Sequence, residues 1–273
     1  MLQTESGRRP RALETGAADI ADQSTPQPPV RAGGLIAPSG RRWAIVAAVL
    51  GLWQLGWAVD LIPPIGLPSP LEIAIALWQL IDSGELWIHL EATLPRLGLG
   101  WVLGAALAVL LCLSSRRWPA SAAFTAALTT TAGSVPAIAL MPLFMIWLGA
   151  GEAAMIATTA LAAFVPGLRA ALAGRDHRPI PVLIETLHTS LPLALAVLVA
   201  VEMIGGGFGL GALVFAAAEL YRSDQILAGC LVLAAIGLAP AAVLRLAARR
   251  LAGGGAGSTH SSGPGGRRDN RKA

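Results

Sequence analysis

Lysine is almost missing from this chain: Lys272 stands alone, and every other member of the Lys+Arg total of 20 is arginine. The Gly-x-x-x-x-Gly-Lys-Ser/Thr loop that cradles nucleotide phosphates does not occur, and the glycines at 205–211 do not fit Gly-x-Gly-x-x-Gly. The chain is therefore not expected to bind ATP itself. Cysteine is as scarce. Cys112 and Cys230 lie in or beside apolar blocks, without a second Cys or a His at ligand spacing. That pattern excludes a disulfide framework or zinc site and reads as two small buried hydrophobes. His89, His177, His188 and His260 show no ligand spacing, and no Ser/His/Asp grouping stands out, so no enzyme and no cofactor is expected. Charge is short as well, at 13% of residues against about a quarter in soluble domains.

Hydrophobic residues fill that gap. They make up 55% of the chain, and the mean hydropathy is +0.64. They are clumped into blocks near the ~20 residues that cross a bilayer as a helix, without the every-other-residue alternation of a membrane barrel. A helix satisfies its own backbone in lipid. The expected fold is therefore all-α, a polytopic membrane bundle of about six transmembrane helices. The blocks predict spans over 43–59, 95–113, 121–148, 151–173, 190–211 and 226–246. Residues 1–40 and 252–273, polar and rich in Gly, Pro, Ser and Arg, read as disordered cytoplasmic tails around a membrane domain at 41–251. The first apolar block lacks the cleavage site of a secretory signal. The run Leu71 to Leu90 has helical amphipathic spacing and is expected on the membrane surface or packed beside the bundle.

Arginine placement orients the spans. With the N terminus in the cytoplasm, only Arg96 and Arg222 fall outside. The outer stretch 60–94 holds Asp60, Glu72, Asp82, Glu85 and Glu91 and no basic residue. This asymmetry is the positive-inside pattern. The basic residues flank apolar blocks and form no patch with aromatics, which argues against a nucleic-acid partner. Trp43, Trp53, Trp57, Trp87, Trp118 and Trp147 lie near span ends, where membrane anchors belong.

Some residues stand out physically. Pro136 and Pro142 lie in one overlong span, where each removes a helix hydrogen bond; they mark either a pathway-lining kink or a helix boundary. Glu202 is a carboxylate within an apolar span, costly in lipid unless solvated or paired, so its default reading is functional. Gly100/Gly104, Gly205/Gly209 and Gly207/Gly211 have the four-residue spacing of close helix packing, expected mainly within one subunit. His177 and His188 read as solvated loop residues.

Several segments carry a family resemblance. They are Leu67-Pro68-Ser69-Pro70, Gly84-Glu85-Leu86-Trp87, Thr93-Leu94-Pro95-Arg96, Ser134-Val135-Pro136-Ala137 running to Met141-Pro142 and Trp147-Leu148-Gly149, then Gly151-Glu152. Ala163-Phe164-Val165-Pro166, Val201-Glu202-Met203-Ile204-Gly205, Gly209-Leu210-Gly211 and Tyr221-Arg222-Ser223-Asp224 follow. In order and spacing they resemble the permease subunits of ABC importers of the nitrate/sulfonate/taurine type. The family usually has a Pro-Pro pair where this chain has Pro136-Ala137.

The resemblance implies an inner-membrane homodimer that imports a small anionic or organic solute, a cytosolic ABC ATPase docked beneath it, and an external substrate-binding protein. It implies a pathway or gate at Ser134, Pro136, Pro142, Glu202 and Met203, and ATPase contact through Arg175, Arg178, Pro181, Glu185 and His188. Small oxyanions or organosulfonates are the implied substrates; related permeases serve vitamin precursors. One departure concerns the family's Glu-Ala-Ala…Gly coupling helix. Here Gly174 to Ser190 is much shorter. Either Pro181 to Leu187 matches its start, with Glu185 as the acidic residue, or the motif is missing and Leu187 already belongs to span five. A non-transporting or regulatory paralogue with weakened ATPase coupling is the alternative function.

Overall fold

The structure is a computed structural model that describes residues 40–61, 66–174, 178–205 and 207–254, with side chains from 43 to 250. Residues 1–39 and 255–273 of the tails expected at either end, and Arg175 and His177, lie outside these residues, whereas 252–254 belong to the last helix. The described residues form helices and no strand. The chain divides into two units after Leu50. In the first unit, residues 43–50 form one helical run that is exposed throughout. The remainder belongs to the second unit.

The helices are α1 (Gly40–Ala58), α2 (Pro70–Asp82), α3 (Glu85–Arg117), α4 (Pro119–Thr131), α5 (Met141–Leu148), α6 (Glu152–Ala173), α7 (Pro179–Gly205), α8 (Leu210–Glu219) and α9 (Ser223–Gly254). Among the described residues, α3, α6, α7 and α9 are each long and apolar enough to cross a membrane. The bent pair α4/α5 makes a fifth span if taken as one, and α1 is a shorter apolar helix. These are the counterparts of the six blocks in the sequence. Large apolar side chains such as Leu52, Leu99, Leu110, Leu231 and Leu238 are exposed. In water so much exposed apolar surface would drive association; in lipid it faces its own solvent.

Two boundaries differ from the sequence reading. Leu71 to Leu90 is not one surface helix. Ser69 caps α2: its Oγ accepts from Glu72 N–H at 3.1 Å, while Glu72 Oε2 accepts from Ser69 N–H at 2.7 Å. Pro70 fits the first position, which needs no N–H. The helix stops at Ser83, and Gly84, at φ +79°, turns the chain into α3. Residues 85–94 therefore belong to the span that was expected to begin at 95. The buried face of α2 (Ile73, Ala76, Leu80) packs with Leu210 and Leu213 of α8 and Ala228 of α9, so α2 sits beside the bundle. The second difference is α7, which starts at Pro179 rather than 190. Val182, on its first turn, packs against Val109 and Cys112 of α3 and Leu168 and Ala171 of α6.

Small residues set the spacing of the central helices. A Cβ at Gly100 would meet Thr159, and one at Gly104 would meet Ala160 and Ala163. The pair lets α3 and α6 touch within one chain. The buried hydroxyls of Thr158 and Thr159 donate to Ala154 and Met155 carbonyls at 2.7 and 2.8 Å, so they cost no unpaired polar group.

Candidate functional site

Glu202 is completely buried near the C-terminal end of α7. Its carboxylate does not lack partners. Arg96 of α3 donates from Nη1 to Oε1 at 3.0 Å. The Thr93 hydroxyl donates to the same oxygen at 2.9 Å, and Gly211 N–H donates to Oε2 at 2.9 Å. His89, Thr93 and Arg96 stand at i, i+4 and i+7, which puts them on one face of α3. Thr93 Oγ1 also accepts from Leu210 N–H at 2.8 Å, and Arg96 Nη1 donates to the Phe208 carbonyl at 2.6 Å. His89 Nδ1 lies 3.0 Å from Gly209 N and 2.8 Å from Gly209 O, so its tautomer selects which of the two it bonds. α3 thereby holds the turn between α7 and α8.

Glycine is required in that turn. Gly209 has φ +139°, and a Cβ there would run into the Glu202 carboxylate. A Cβ at Gly211 would meet the Val199 carbonyl across the α7–α8 contact.

Arg96 bridges two carboxylates. Its Nε donates to Oε2 of Glu152 at 2.6 Å, and Nη2 pairs with Oε1 of the same side chain. Glu152 opens α6, where a helix N-terminus favours negative charge, and its side chain is 64% exposed. One cation thus serves a buried and a solvated anion, and the surplus negative charge sits on the exposed partner. A buried charge pair persists in such a place when its remaining donors and acceptors are also satisfied, as they are here. Arg96 and Arg116 lie about 30 Å apart along α3, the thickness of the hydrocarbon layer. With Arg116 at one boundary of the hydrocarbon layer, the cluster falls at the other.

The second feature is the break in the third span. α4 ends in a 3-10 turn at Ala132–Ser134; Val135 and Pro136 are extended; a second 3-10 turn, Ala137–Leu140, leads into α5. The two halves meet at 90°. A cavity of about 720 Å³ opens at the break, walled by Val135, Pro136 and Ile138, by Leu161 and Val165 of α6, and by Val197 of α7. Pro136 stands at the bend. Pro142 occupies the first turn of α5, where a missing N–H costs nothing; its role in the fold is that of a helix boundary.

The residues singled out in the sequence do not form one site. Pro136 lines the cavity, and Ser134 is exposed beside it, with Oγ 3.4 Å from the Thr130 carbonyl. Glu202 belongs to the membrane-boundary cluster, and Met203 is half-buried next to it on α7. Neither is a wall of the cavity. Pro181, Glu185 and His188 lie on the first turns of α7, and Arg178 immediately precedes it. His188 is not a loop residue: Nε2 accepts from Arg245 Nε of α9 at 2.8 Å. The sequence reading missed Arg96 as the partner of Glu202. Each was visible as an ionisable group near a span end, but nothing in the linear order paired them.

No family model matches the chain. The riboflavin transport system permease protein RibX of Chloroflexus aurantiacus is 30% identical over 218 residues, 70% of this chain and 81% of the relative. The putative aliphatic sulfonates transport permease protein SsuC of Bacillus subtilis is 26% identical over 231 residues, 75% of this chain and 84% of the relative. The taurine transport system permease protein TauC of Escherichia coli is 28% identical over 237 residues, covering 76% and 86%. An apolar helical bundle with a broken span, matched to these relatives over most of its length, belongs to the transmembrane permease subunits of ABC importers, of the nitrate/sulfonate/taurine type.

Proposed function

We propose that two copies of this permease form a pathway that carries a small organic anion inward across the cytoplasmic membrane. A separate ATPase below supplies the energy, and an external binding protein delivers the solute. The observation that carries this reading is the 90° break at Pro136 with the cavity it opens between α4, α6 and α7. Non-helical backbone at membrane depth is tolerated where it is buried in protein or lines an aqueous space. The substrate class follows the names of the relatives, which include aliphatic sulfonates and taurine.

Charge supports an orientation with both termini in the cytoplasm. Arg96, Glu152 and Glu202 meet at one end of α3, α6 and α7. At the other end Arg116 Nη2 donates to the Ala171 carbonyl at 3.3 Å. Arg116 and Arg117 close α3 at that second end, Arg178 precedes α7, and Arg245 reaches His188 near the start of α7; under the positive-inside rule this is the cytoplasmic end. ATPase contact is assigned there, to Arg178 and to Pro181, Glu185 and His188 on the first turns of α7; Arg175 belongs to the same stretch of sequence.

The test is purification of the full chain from its native membrane in mild detergent, with bound proteins identified by mass spectrometry. An ATPase subunit should copurify, and Arg178→Ser with Glu185→Ser, both exposed positions, should weaken its retention. Recovery of the chain alone, from membranes that contain the ATPase, would overturn the reading.

A further inference from the structure

Among the described residues, one charged side chain lines the cavity at the broken span. Arg169, on the last turns of α6, lays its guanidinium over Gly133, where a Cβ would collide with it. Its Nη2 donates to the Thr129 carbonyl at 3.0 Å, at the end of α4. That bond anchors the head group. A guanidinium carries five N–H donors in a planar fork suited to an oxyanion. The opposing walls are apolar, among them Val135, Pro136, Ile138, Leu161 and Val165, and among the described residues no wall residue is acidic. A volume of about 720 Å³ falls within the roughly 300–1,000 Å³ of sites that hold small molecules against apolar walls with a few placed polar groups.

We infer that this cavity is a transit site for a small amphiphilic anion. A sulfonate or carboxylate head sits on Arg169, and an aliphatic body lies against Pro136, Ile138 and Val165. The inference rests on the import reading and adds a selectivity to it. A solute that also carries an ammonium group finds no carboxylate among the described wall residues. The cavity therefore favours a simple alkanesulfonate over a zwitterion such as taurine, and Arg169 is the residue that separates an anion from a neutral molecule of the same shape.

The full chain in phosphatidylcholine nanodiscs is titrated calorimetrically with hexanesulfonate, hexanol and taurine. Ethanesulfonate, titrated beside them, should bind about tenfold or more tightly than taurine, which differs from it only by the ammonium, because that unpaired ammonium must be desolvated. Arg169→Gln should lower hexanesulfonate affinity by about tenfold or more and leave hexanol unchanged. Arg169→Lys should restore part of the loss. Gly133→Ala, which pushes the guanidinium off its seat without removing charge, should weaken hexanesulfonate alone. Circular dichroism confirms that each variant is folded. Equal binding of sulfonate and alcohol would refute the site. So would equal heat from hexanesulfonate and nanodiscs that contain no protein, since the bilayer itself would then be the binder. A chain that binds hexanesulfonate but captures no ATPase refutes the import reading; one that captures the ATPase and ignores the sulfonate refutes only this site.

Discussion

Arg96 of α3 and Glu202 of α7 pair at 3.0 Å, with the Glu202 side chain fully buried and that of Arg96 only 6% exposed, and Glu152 holds the other edge of the same guanidinium. The three residues tie three membrane spans together at one boundary of the bilayer. Their consequences for stability are unequal.

Arg96→Leu leaves the Glu202 carboxylate buried with no cation, and stability should fall by about 3–5 kcal/mol. Glu202→Gln keeps a hydrogen-bonding group, and Glu152 still neutralises Arg96, so the loss should be smaller. Glu152→Gln, at an exposed partner, should cost about 1 kcal/mol or less. Unfolding midpoints in mixed detergent micelles should rank the variants in that order. The double change Arg96→Leu with Glu202→Leu should recover much of the single-variant loss.

The turn after α7 should discriminate between its glycines. Gly209→Ala pushes a methyl into the Glu202 carboxylate and should destabilise about as much as losing the pair's geometry, roughly 2–4 kcal/mol. Gly207→Ala, also at positive φ but with open space around it, should cost only the backbone term of about 1–2 kcal/mol. Equal effects would mean that the carboxylate moves aside freely.

Along α3, Gly104→Ala meets the backbone of Ala160. It should part α3 from α6 at a cost of about 1–3 kcal/mol. Gly98→Ala meets nothing within 4 Å and should gain about 0.5–1 kcal/mol from helix propensity. Thermal inactivation of the purified protein, followed by size-exclusion recovery, reads both signs.

The two prolines of the third span should separate in transport. Pro136→Ala loosens the bend at the cavity and should slow uptake several-fold in proteoliposomes carrying the ATPase and binding protein. Pro142→Ala, in the first turn of α5, should leave uptake within about twofold, because that position needs no N–H. A reversal of the two would place the functional bend in α5.

Membrane sidedness is checked by single cysteines in a Cys112→Ala, Cys230→Ala background. In intact cells an impermeant maleimide should label Ser83→Cys from outside and label Arg117→Cys only after permeabilisation. Labelling of both from outside would reject the orientation.

Much of the fold was legible because membrane insertion is governed by sums along the chain. Apolar blocks of the right length, and arginines on one side of each, are local quantities. The start of α2 was also local, written in Ser69, Pro70 and Glu72, yet its end was hidden: the amphipathic period runs through Ser83 and Gly84, and the positive φ at Gly84 breaks it. The start of α7 was hidden for a different reason. Short loop residues such as Pro179 and Pro181 resemble linker, but Val182 and Thr186 find a buried surface on neighbouring helices and draw the helix back to 179.

Composition and the order of the motifs were enough to place this chain in the membrane as a helical bundle and in its family. The pairing of Glu202 with Arg96, the 90° bend of the third span at Pro136 and the reach of Arg169 over Gly133 at the cavity emerge with the packed fold. Distance along the chain accounts for the difference. Solvation and charge sidedness add residue by residue, whereas an ion pair or a cavity exists only once helices far apart in sequence have packed.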